Sequence, residues 1–256
     1  NAFQGDLGRS FIFGEPALKL IIQRMPATLE LALFSLFIAI FFGIPLGIYA
    51  GLKPKSKVSK TIMAGSILGF SMPTFWVGII FIMIFAVHLG WLPSTGRGEL
   101  GTFLGIQSSL FTANGLSHVF LPALNLALFK MSSVIRLTRA GTREIILQDY
   151  ITFARSKGLS EEKVVLVHVL RNILIPIVTV IGLEFGSLIA FSTVTETIFA
   201  WPGMGKLIID SIYNLDRPVI VAYLMIIVTF FVFLNLLVDI LYSLLDPRVR
   251  VKGANE

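Results

Sequence analysis

The chain of 256 residues contains no cysteine, so disulfide frameworks and thiolate metal sites are excluded. Charged residues are also scarce: they make up 14% of the chain, against about 25% in soluble domains. The three histidines lack the spacing of a metal site, and the sequence has no GxxxxGK[ST] phosphate loop and no GxSxG elbow. We therefore expect no metal, no cofactor and no catalytic residue. ATP binding through a P-loop is excluded for this chain.

Apolar residues are correspondingly abundant. They make up 55% of the chain, which includes 22 phenylalanines, and the mean hydropathy is +0.85. A net charge of +6 is compatible with nucleic-acid binding, but the apolar excess favours a membrane protein.

Five apolar runs predict transmembrane helices, because each approaches or exceeds the roughly 20 residues that cross a bilayer. The runs are continuous and do not alternate every second residue, which favours helices over a membrane barrel. The sequence therefore predicts an all-α, polytopic helical bundle in a single transmembrane domain, 1–256. Its spans are 31–52, 61–87, 118–135, 172–195 and 218–238.

Basic residues predict the orientation of this bundle. Four lysines lie in the loop 53–60, seven Lys or Arg in 136–171 and three after residue 238, whereas the loops 88–117 and 196–217 hold one and two. The positive-inside rule places the basic segments and the C-terminus in the cytoplasm. Five spans then put Asn1 outside, and we expect a further, sixth span before it.

Two charged residues lie inside the predicted spans, where charge is costly and functional candidates concentrate. Lys130 is close enough to the basic edge to snorkel, or it packs within the bundle. Glu184 lies near the middle of its span, which leaves a pathway role or a hydrogen bond to a neighbouring helix open. Glu30 and Asp239 lie at span ends, where solvation or capping is expected.

Glycine recurs every fourth residue at Gly43, Gly47 and Gly51. Such a face allows close helix packing. The alternative is a helix core that changes shape during transport.

The cytoplasmic segment 141–171 is long, basic and well punctuated. Ile146, Tyr150, Phe153 and Ala154 form one apolar stripe at helical spacing. Gly158 follows and predicts a helix end.

A second helix is expected to begin directly after this end. Ser160 suits its N-cap, and the acidic Glu161 and Glu162 suit its first turn. The second helix then continues into the next span.

Three interpretations of this segment differ in what it contacts. The spacing of Ala154, Gly158 and Val164 resembles a DNA-binding helix-turn-helix, but the VVLVHVL run has few side chains able to contact base edges. A peripheral helix lying on lipid headgroups is a second interpretation. A docking helix for a cytoplasmic partner fits best, because the stripe is short and its ends are sharply defined.

The segment resembles the cytoplasmic motif of permeases of bacterial ATP-binding-cassette (ABC) importers. That motif is Glu-Ala-Ala, three residues, Gly, nine residues, Ile-x-Leu-Pro. Ala154 matches the second alanine, Gly158 the glycine, and 168–171 the final four positions. Thr152, Phe153 and Arg171 depart from it, in the form that resembles the dipeptide/oligopeptide (and nickel) permease class.

Further stretches across the whole chain resemble the same class. They are GDLGRSF (5–11), RMPATLELAL (24–33), SMPTFWVG (71–78), LGWLPSTGRG (89–98), ETIFAWPGMGKL (196–207) and NLLVDILYSLLDPRVR (235–250).

The resemblance implies a type I ABC importer permease in the bacterial inner membrane. Its partners would be a second, different permease, two cytoplasmic ATPases and an extracytoplasmic solute-binding protein, which the loops 88–117 and 196–217 would face. It implies peptide substrates, with nickel chelates, glutathione or antimicrobial peptides as alternatives; a membrane scaffold or enzyme is the remaining class. The implied ATPase-coupling residues are Tyr150, Phe153, Ala154, Arg155, Lys157, Gly158 and Leu159. On this reading, Gly158→Pro or a bulky residue at Ala154 uncouples ATP hydrolysis from uptake.

Overall fold

The structure of the chain is a computed structural model that describes residues 7–245. Within the helices, the side chains of residues 175, 183, 184, 239 and 241–245 lie outside this description.

Long helices dominate the described part of the chain, as apolar runs without β-sheet alternation predict. They are α1 (Ala17–Leu52), α2 (Lys57–Ser71), α3 (Thr74–Phe81), α4 (Ala113–Ile145), α5 (Asp149–Ser156), α6 (Glu161–Lys163), α7 (Leu170–Ile198), α8 (Met204–Tyr213) and α9 (Arg217–Leu245). Two π-helical stretches extend them, Ile82–His88 after α3 and Val164–Val169 between α6 and α7.

Several helices are longer than the predicted spans, and one predicted span is interrupted. The first helix begins at Ala17, well before residue 31. The predicted span 61–87 is not one helix: it is interrupted between Ser71 and Thr74. Pro73 explains the interruption, since it has no N–H to donate and is the N-cap residue of α3.

Among the described residues, three helices are long and apolar enough to cross a membrane, and five segments qualify if each interrupted helix pair counts as one span. The basic C-terminal tail, including Arg248, Arg250 and Lys252, lies outside the described residues.

A short hairpin precedes α4. Strand β1 (Gly101–Phe103) pairs antiparallel with β2 (Ile106–Ser108), and Phe103 lies opposite Ile106. The two turn residues, Leu104 and Gly105, both have positive φ, at 49° and 80°. This is the backbone of a type I′ hairpin turn, whose twist matches that of the strands.

The chain divides into two compact units. Unit 1 comprises residues 1–36, 72–127 and 185–233, and unit 2 comprises 37–71, 128–184 and 234–256. The core of unit 1 includes the fully buried side chains of Phe199 and Trp201.

In unit 2, the glycine face of α1 packs on α4. A β-carbon at Gly47 would lie 2.9 Å from the carbonyl oxygen of Ile135, and one at Gly51 would lie 2.6 Å from Cβ of Thr142. Gly43 faces Val134 in the same way. The glycines therefore serve close helix packing, the first of the two roles that the sequence leaves open.

Candidate coupling segment and a buried carboxylate cluster

The end of α5 is built by backbone hydrogen bonds around Gly158. Gly158 has φ of 78°, a left-handed conformation that glycine adopts without steric cost. Its N–H donates to the carbonyl of Arg155 at 2.9 Å, and the N–H of Leu159 donates to the carbonyl of Ala154 at 3.4 Å. These are the two bonds of a Schellman motif, so the predicted helix end at Gly158 is confirmed.

The buried face of α5 differs from the predicted stripe. Ile146 lies before α5, because the chain turns between the end of α4 and Asp149. Ile151 and Ala154 are the buried residues of α5, at 0% and 5% exposure. They pack in the core of unit 2 together with Val164, Val169, Ile173 and Ile177.

The predicted stripe therefore divides in the structure: Ala154 is buried, whereas Tyr150 and Phe153 are 43% and 61% exposed. A helix of eight residues cannot bury both its 151/154 face and its 150/153 face against one core. Leu147, in the turn before α5, is 81% exposed and extends this apolar surface. The Nζ of Lys157 lies 4.5 Å from the centre of the Phe153 ring. The exposed side of α5 is thus an apolar ridge with a cation at its end.

An ion pair spans the Gly158 turn. The Arg155 guanidinium donates to both carboxylate oxygens of Glu161, at 2.8 and 3.2 Å. Both side chains are substantially exposed, so solvent screens the pair and its contribution to stability is small.

Ser160 occupies the predicted N-cap position, but its side chain makes no capping bond. From Glu161 the helical path continues through Val164–Val169 into α7 without a break. Leu159 is half-buried and packs on the same core as α5. The turn at Gly158 therefore joins α5 to a helical segment that leads into a predicted span.

Of the two charged residues inside the predicted spans, the structure describes the side chain of one. Lys130 is only 6% exposed, and its Nζ lies 5.6 Å from the centre of the Phe129 ring. The side chain of Glu184 lies outside the described residues. No group of three or more metal-binding side chains occurs in the part of the chain that the structure describes.

In unit 1, Glu196 forms a buried carboxylate cluster that the sequence did not predict. The carboxylate is fully buried and accepts hydrogen bonds from the hydroxyls of Thr28 and Ser192, at 2.8 and 2.9 Å. It also accepts the backbone N–H of Lys206 at 3.0 Å, while Thr28 Oγ1 accepts that of Met204 at 2.8 Å.

These backbone donors belong to the first turn of α8, whose N–H groups have no partner within the helix. Glu196, from the end of α7, and Thr28, from the distant α1, therefore cap α8 together. The carboxylate occupies the space where a side chain at Gly203 would lie, 2.6 Å from a β-carbon built there. Trp201 adds a second link to α1, because its indole N–H donates to the carbonyl of Ala27 at 2.9 Å.

A second buried carboxylate, Glu30, lies on α1. It pairs with Arg97 and accepts from the hydroxyl of Ser109, and it is 7% exposed. The expectation that Glu30 is solvated or caps a span end is therefore wrong. Glu30 lies two residues after Thr28, and both side chains fix loops that follow other helices.

The residues of these two clusters lie in stretches that the sequence connects only to the resemblance to a permease class. RMPATLELAL holds Thr28 and Glu30, LGWLPSTGRG holds Arg97, and ETIFAWPGMGKL holds Glu196. A single acidic residue within a largely apolar segment was the available signal, but Glu196 and its partner Thr28 lie about 170 residues apart in the chain.

Comparisons with known proteins decide the family. Residues 43–251 match the family described as the inner membrane component of binding-protein-dependent transport systems. The chain belongs to this family. It is 41% identical to the di/tripeptide transport system permease protein DppB of Pseudomonas aeruginosa and to the oligopeptide transport system permease protein AppB of Bacillus subtilis, each over 98% of this chain and 78% of the relative. Identity to the Escherichia coli K12 dipeptide permease DppB is 37%, over 97% of this chain and 78% of the relative.

Solved structures agree in fold. An inward-facing structure of the MetNI methionine ABC transporter aligns with a TM-score of 0.71 at 17% identity, covering 90% of this chain and 97% of that one. An amino acid ABC transporter aligns with a TM-score of 0.60 at 16% identity, covering 88% and 94%. The fold is that of a type I ABC importer permease. The chain is a multi-pass membrane subunit, and ATP hydrolysis is the task of separate ATPase subunits.

Proposed function

We propose that this chain forms part of the translocation pathway for dipeptides and oligopeptides in a bacterial ABC importer. The observation that carries the proposal is the similarity, at 37–41% identity over nearly the whole chain, to permeases named for dipeptide, tripeptide or oligopeptide transport. The family and the fold support a permease subunit, and the relatives support the peptide.

The proposed contact with the ATPases is the exposed side of α5. Tyr150 and Phe153 supply the apolar ridge, and Lys157 supplies positive charge for an acidic rim on the partner. Ala154 and Leu159 contribute differently from the other coupling residues, because they pack on the core behind α5. They hold the ridge in place, and Gly158 sets its direction.

In the proposed mechanism, α5 transmits the motion of the ATPases to the bundle. Closure of two ATPases around ATP displaces α5, and the buried core that Ile151 shares with Ile173 carries the displacement into α7. The packed core favours movement as one body, since a close-packed interior resists deformation. A second, different permease and an extracytoplasmic solute-binding protein complete the proposed importer.

Orientation follows from the basic segments. We propose that the loop 53–60, the segment 141–171 and the C-terminus face the cytoplasm, where the ATPases are. The loops 88–117 and 196–217 would then face the solute-binding protein. Glu184 remains a proposed pathway residue and Lys130 a proposed packing residue.

Reconstitution tests this function. The tagged chain, expressed with the transporter genes of its own operon, is expected to co-purify with two ATPases and one further permease. In proteoliposomes supplied with the binding protein, this complex should accumulate a labelled dipeptide only when ATP is present on the ATPase side. Co-purification without an ATPase would contradict the importer.

Competition resolves the substrate. Excess unlabelled dipeptide and tripeptide should abolish uptake of the labelled dipeptide, whereas glutathione or a nickel chelate should leave it unchanged. ATP-driven accumulation of nickel or glutathione without peptide uptake would place the chain among the other members of the same permease class.

A further inference from the structure

A compact loop before α1 exposes three consecutive large apolar side chains. Phe11, Ile12 and Phe13 are 74%, 52% and 49% exposed. Ser10 fixes the loop: its hydroxyl accepts from the N–H of Phe13 at 2.9 Å, and its carbonyl accepts from Gly14 at 3.1 Å. Because these bonds hold the loop, the apolar exposure belongs to its folded conformation.

The end of α8 and the turn that follows it expose a second apolar group. Tyr213 is 83% exposed and Leu215 is 75% exposed. Leu215 has φ of 56°, a left-handed conformation that costs a leucine free energy and that glycine or asparagine would adopt more cheaply. The turn therefore keeps a large apolar side chain exposed at a position where glycine would be less strained.

Asp216 joins the two groups into one surface. Its carboxylate is fully buried and accepts from the hydroxyl of Ser10 and, at 3.2 Å, from the N–H of Phe11. The two apolar groups therefore flank the same carboxylate, although they lie about 200 residues apart in the chain. We call the exposed side chains of Phe11, Ile12, Phe13, Tyr213 and Leu215 the Asp216 patch.

We propose that the Asp216 patch rests in the lipid surface, at the boundary between phospholipid headgroups and acyl chains, so that Tyr213 and Leu215, at the end of the loop 196–217, contact lipid and not the solute-binding protein. The patch adjoins the start of α9, which begins at Arg217 and whose most apolar window is only 17% buried within the chain, as is expected of a helix that faces lipid. Pro218, in the first turn of α9, lies against Gly8 at the start of the loop. The patch therefore lies where a transmembrane helix leaves the hydrocarbon.

Charge complementarity supports a lipid over a soluble protein. Arg9 and Arg217 are exposed on either side of the patch, and the nearby Glu15 is paired with Lys19 at 3.2 Å. Arginine beside aromatic and aliphatic side chains is the composition of a membrane interface: the rings enter the acyl boundary and the guanidinium groups reach the phosphates.

Site-directed spin labelling tests the proposal, and the lack of native cysteine makes each introduced thiol unique in this chain. Phe11→Cys, Tyr213→Cys and Leu215→Cys would be labelled with a nitroxide in the full complex in phospholipid nanodiscs. Lys55→Cys, in an exposed loop, is the water control, and Val228→Cys, on the exposed face of α9, is the lipid control. The wild-type complex supplies the background from partner subunits.

The proposal predicts that patch labels collide with oxygen, which concentrates in lipid, more than with a water-soluble nickel chelate. Their collision rate with the chelate should be at least about fivefold below that of Lys55→Cys, because the interface excludes the chelate. Chelate collision equal to that of Lys55→Cys would overturn the proposal. Protection that develops only when the solute-binding protein is added would overturn it as well, and would make the patch a protein-docking surface.

Discussion

At Gly158 a missing side chain determines how α5 ends. A β-carbon built there meets no atom within 4 Å, so the constraint is conformational rather than steric. A φ of 78° costs an ordinary residue about 1–2 kcal/mol, and more when the side chain is β-branched. The turn that aims the ridge of α5 therefore depends on the left-handed conformation at this one position.

We predict that Gly158→Val lowers the amount of peptide imported per ATP hydrolysed, because the helix end no longer sets the direction of α5. Gly158→Asn is the matched control, since asparagine tolerates the left-handed region. The ratio of uptake to hydrolysis in proteoliposomes measures the effect. Equal ratios for the two variants would show that the conformation of this turn is not important for coupling.

In unit 1, Glu196 fixes a helix end, because its carboxylate caps the first turn of α8. Glu196→Ala leaves the hydroxyls of Thr28 and Ser192 and the N–H of Lys206 without their acceptor. We expect the free energy of unfolding to fall by about 3 kcal/mol, because each unsatisfied buried donor costs about 1–3 kcal/mol. The detergent-solubilised chain should then unfold at a temperature lower by roughly 5–10 °C.

Two variants serve as controls for this prediction. Glu196→Gln keeps one acceptor oxygen in place and should lose less stability than Glu196→Ala. Glu162→Ala removes an exposed carboxylate and should change stability by at most about 0.5 kcal/mol. A midpoint for Glu196→Ala as high as that of Glu162→Ala would contradict the role of Glu196 as a cap of α8.

At the level of the helices, the packing of α1 on α4 depends on a close approach at the glycines of α1. A β-carbon at Gly47 would lie 2.5 Å from Cβ of Thr138, whereas one at Gly65 in α2 would meet nothing within 4 Å. We predict that Gly47→Ala destabilises unit 2 by about 1–3 kcal/mol through overpacking. Gly65→Ala should be neutral or stabilising by up to about 1 kcal/mol, because alanine favours the helix. Thermal unfolding of both variants measures the difference, and equal midpoints would contradict the packing.

The same elements show how far the sequence predicts the structure. The helices and the end at Gly158 were predictable, because apolar length and glycine chemistry are local signals. The burial of Ile151 and the exposure of Tyr150 were not predictable, because they depend on which face of a two-turn helix packs against the core that includes α7. The Glu196 and Glu30 clusters were missed for a similar reason: a single acidic residue does not identify partners that folding brings from distant segments.

For the whole molecule, our proposal is that this chain is the part of an importer that receives the motion of the ATPases at α5. The exposed ridge at Phe153 and the buried face at Ile151 lie two residues apart on one short helix. A contact between α5 and an ATPase must therefore include Phe153 and exclude Ile151.

Photo-crosslinking at these positions tests that claim most directly. Phe153→Cys, carrying a benzophenone maleimide in the assembled transporter, should give a covalent adduct with an ATPase subunit on illumination. Ile151→Cys, which is buried, and Leu104→Cys, which is 87% exposed on the hairpin before α4, should give none. An ATPase adduct from Leu104→Cys, or none from Phe153→Cys in a complex that hydrolyses ATP, would contradict the account.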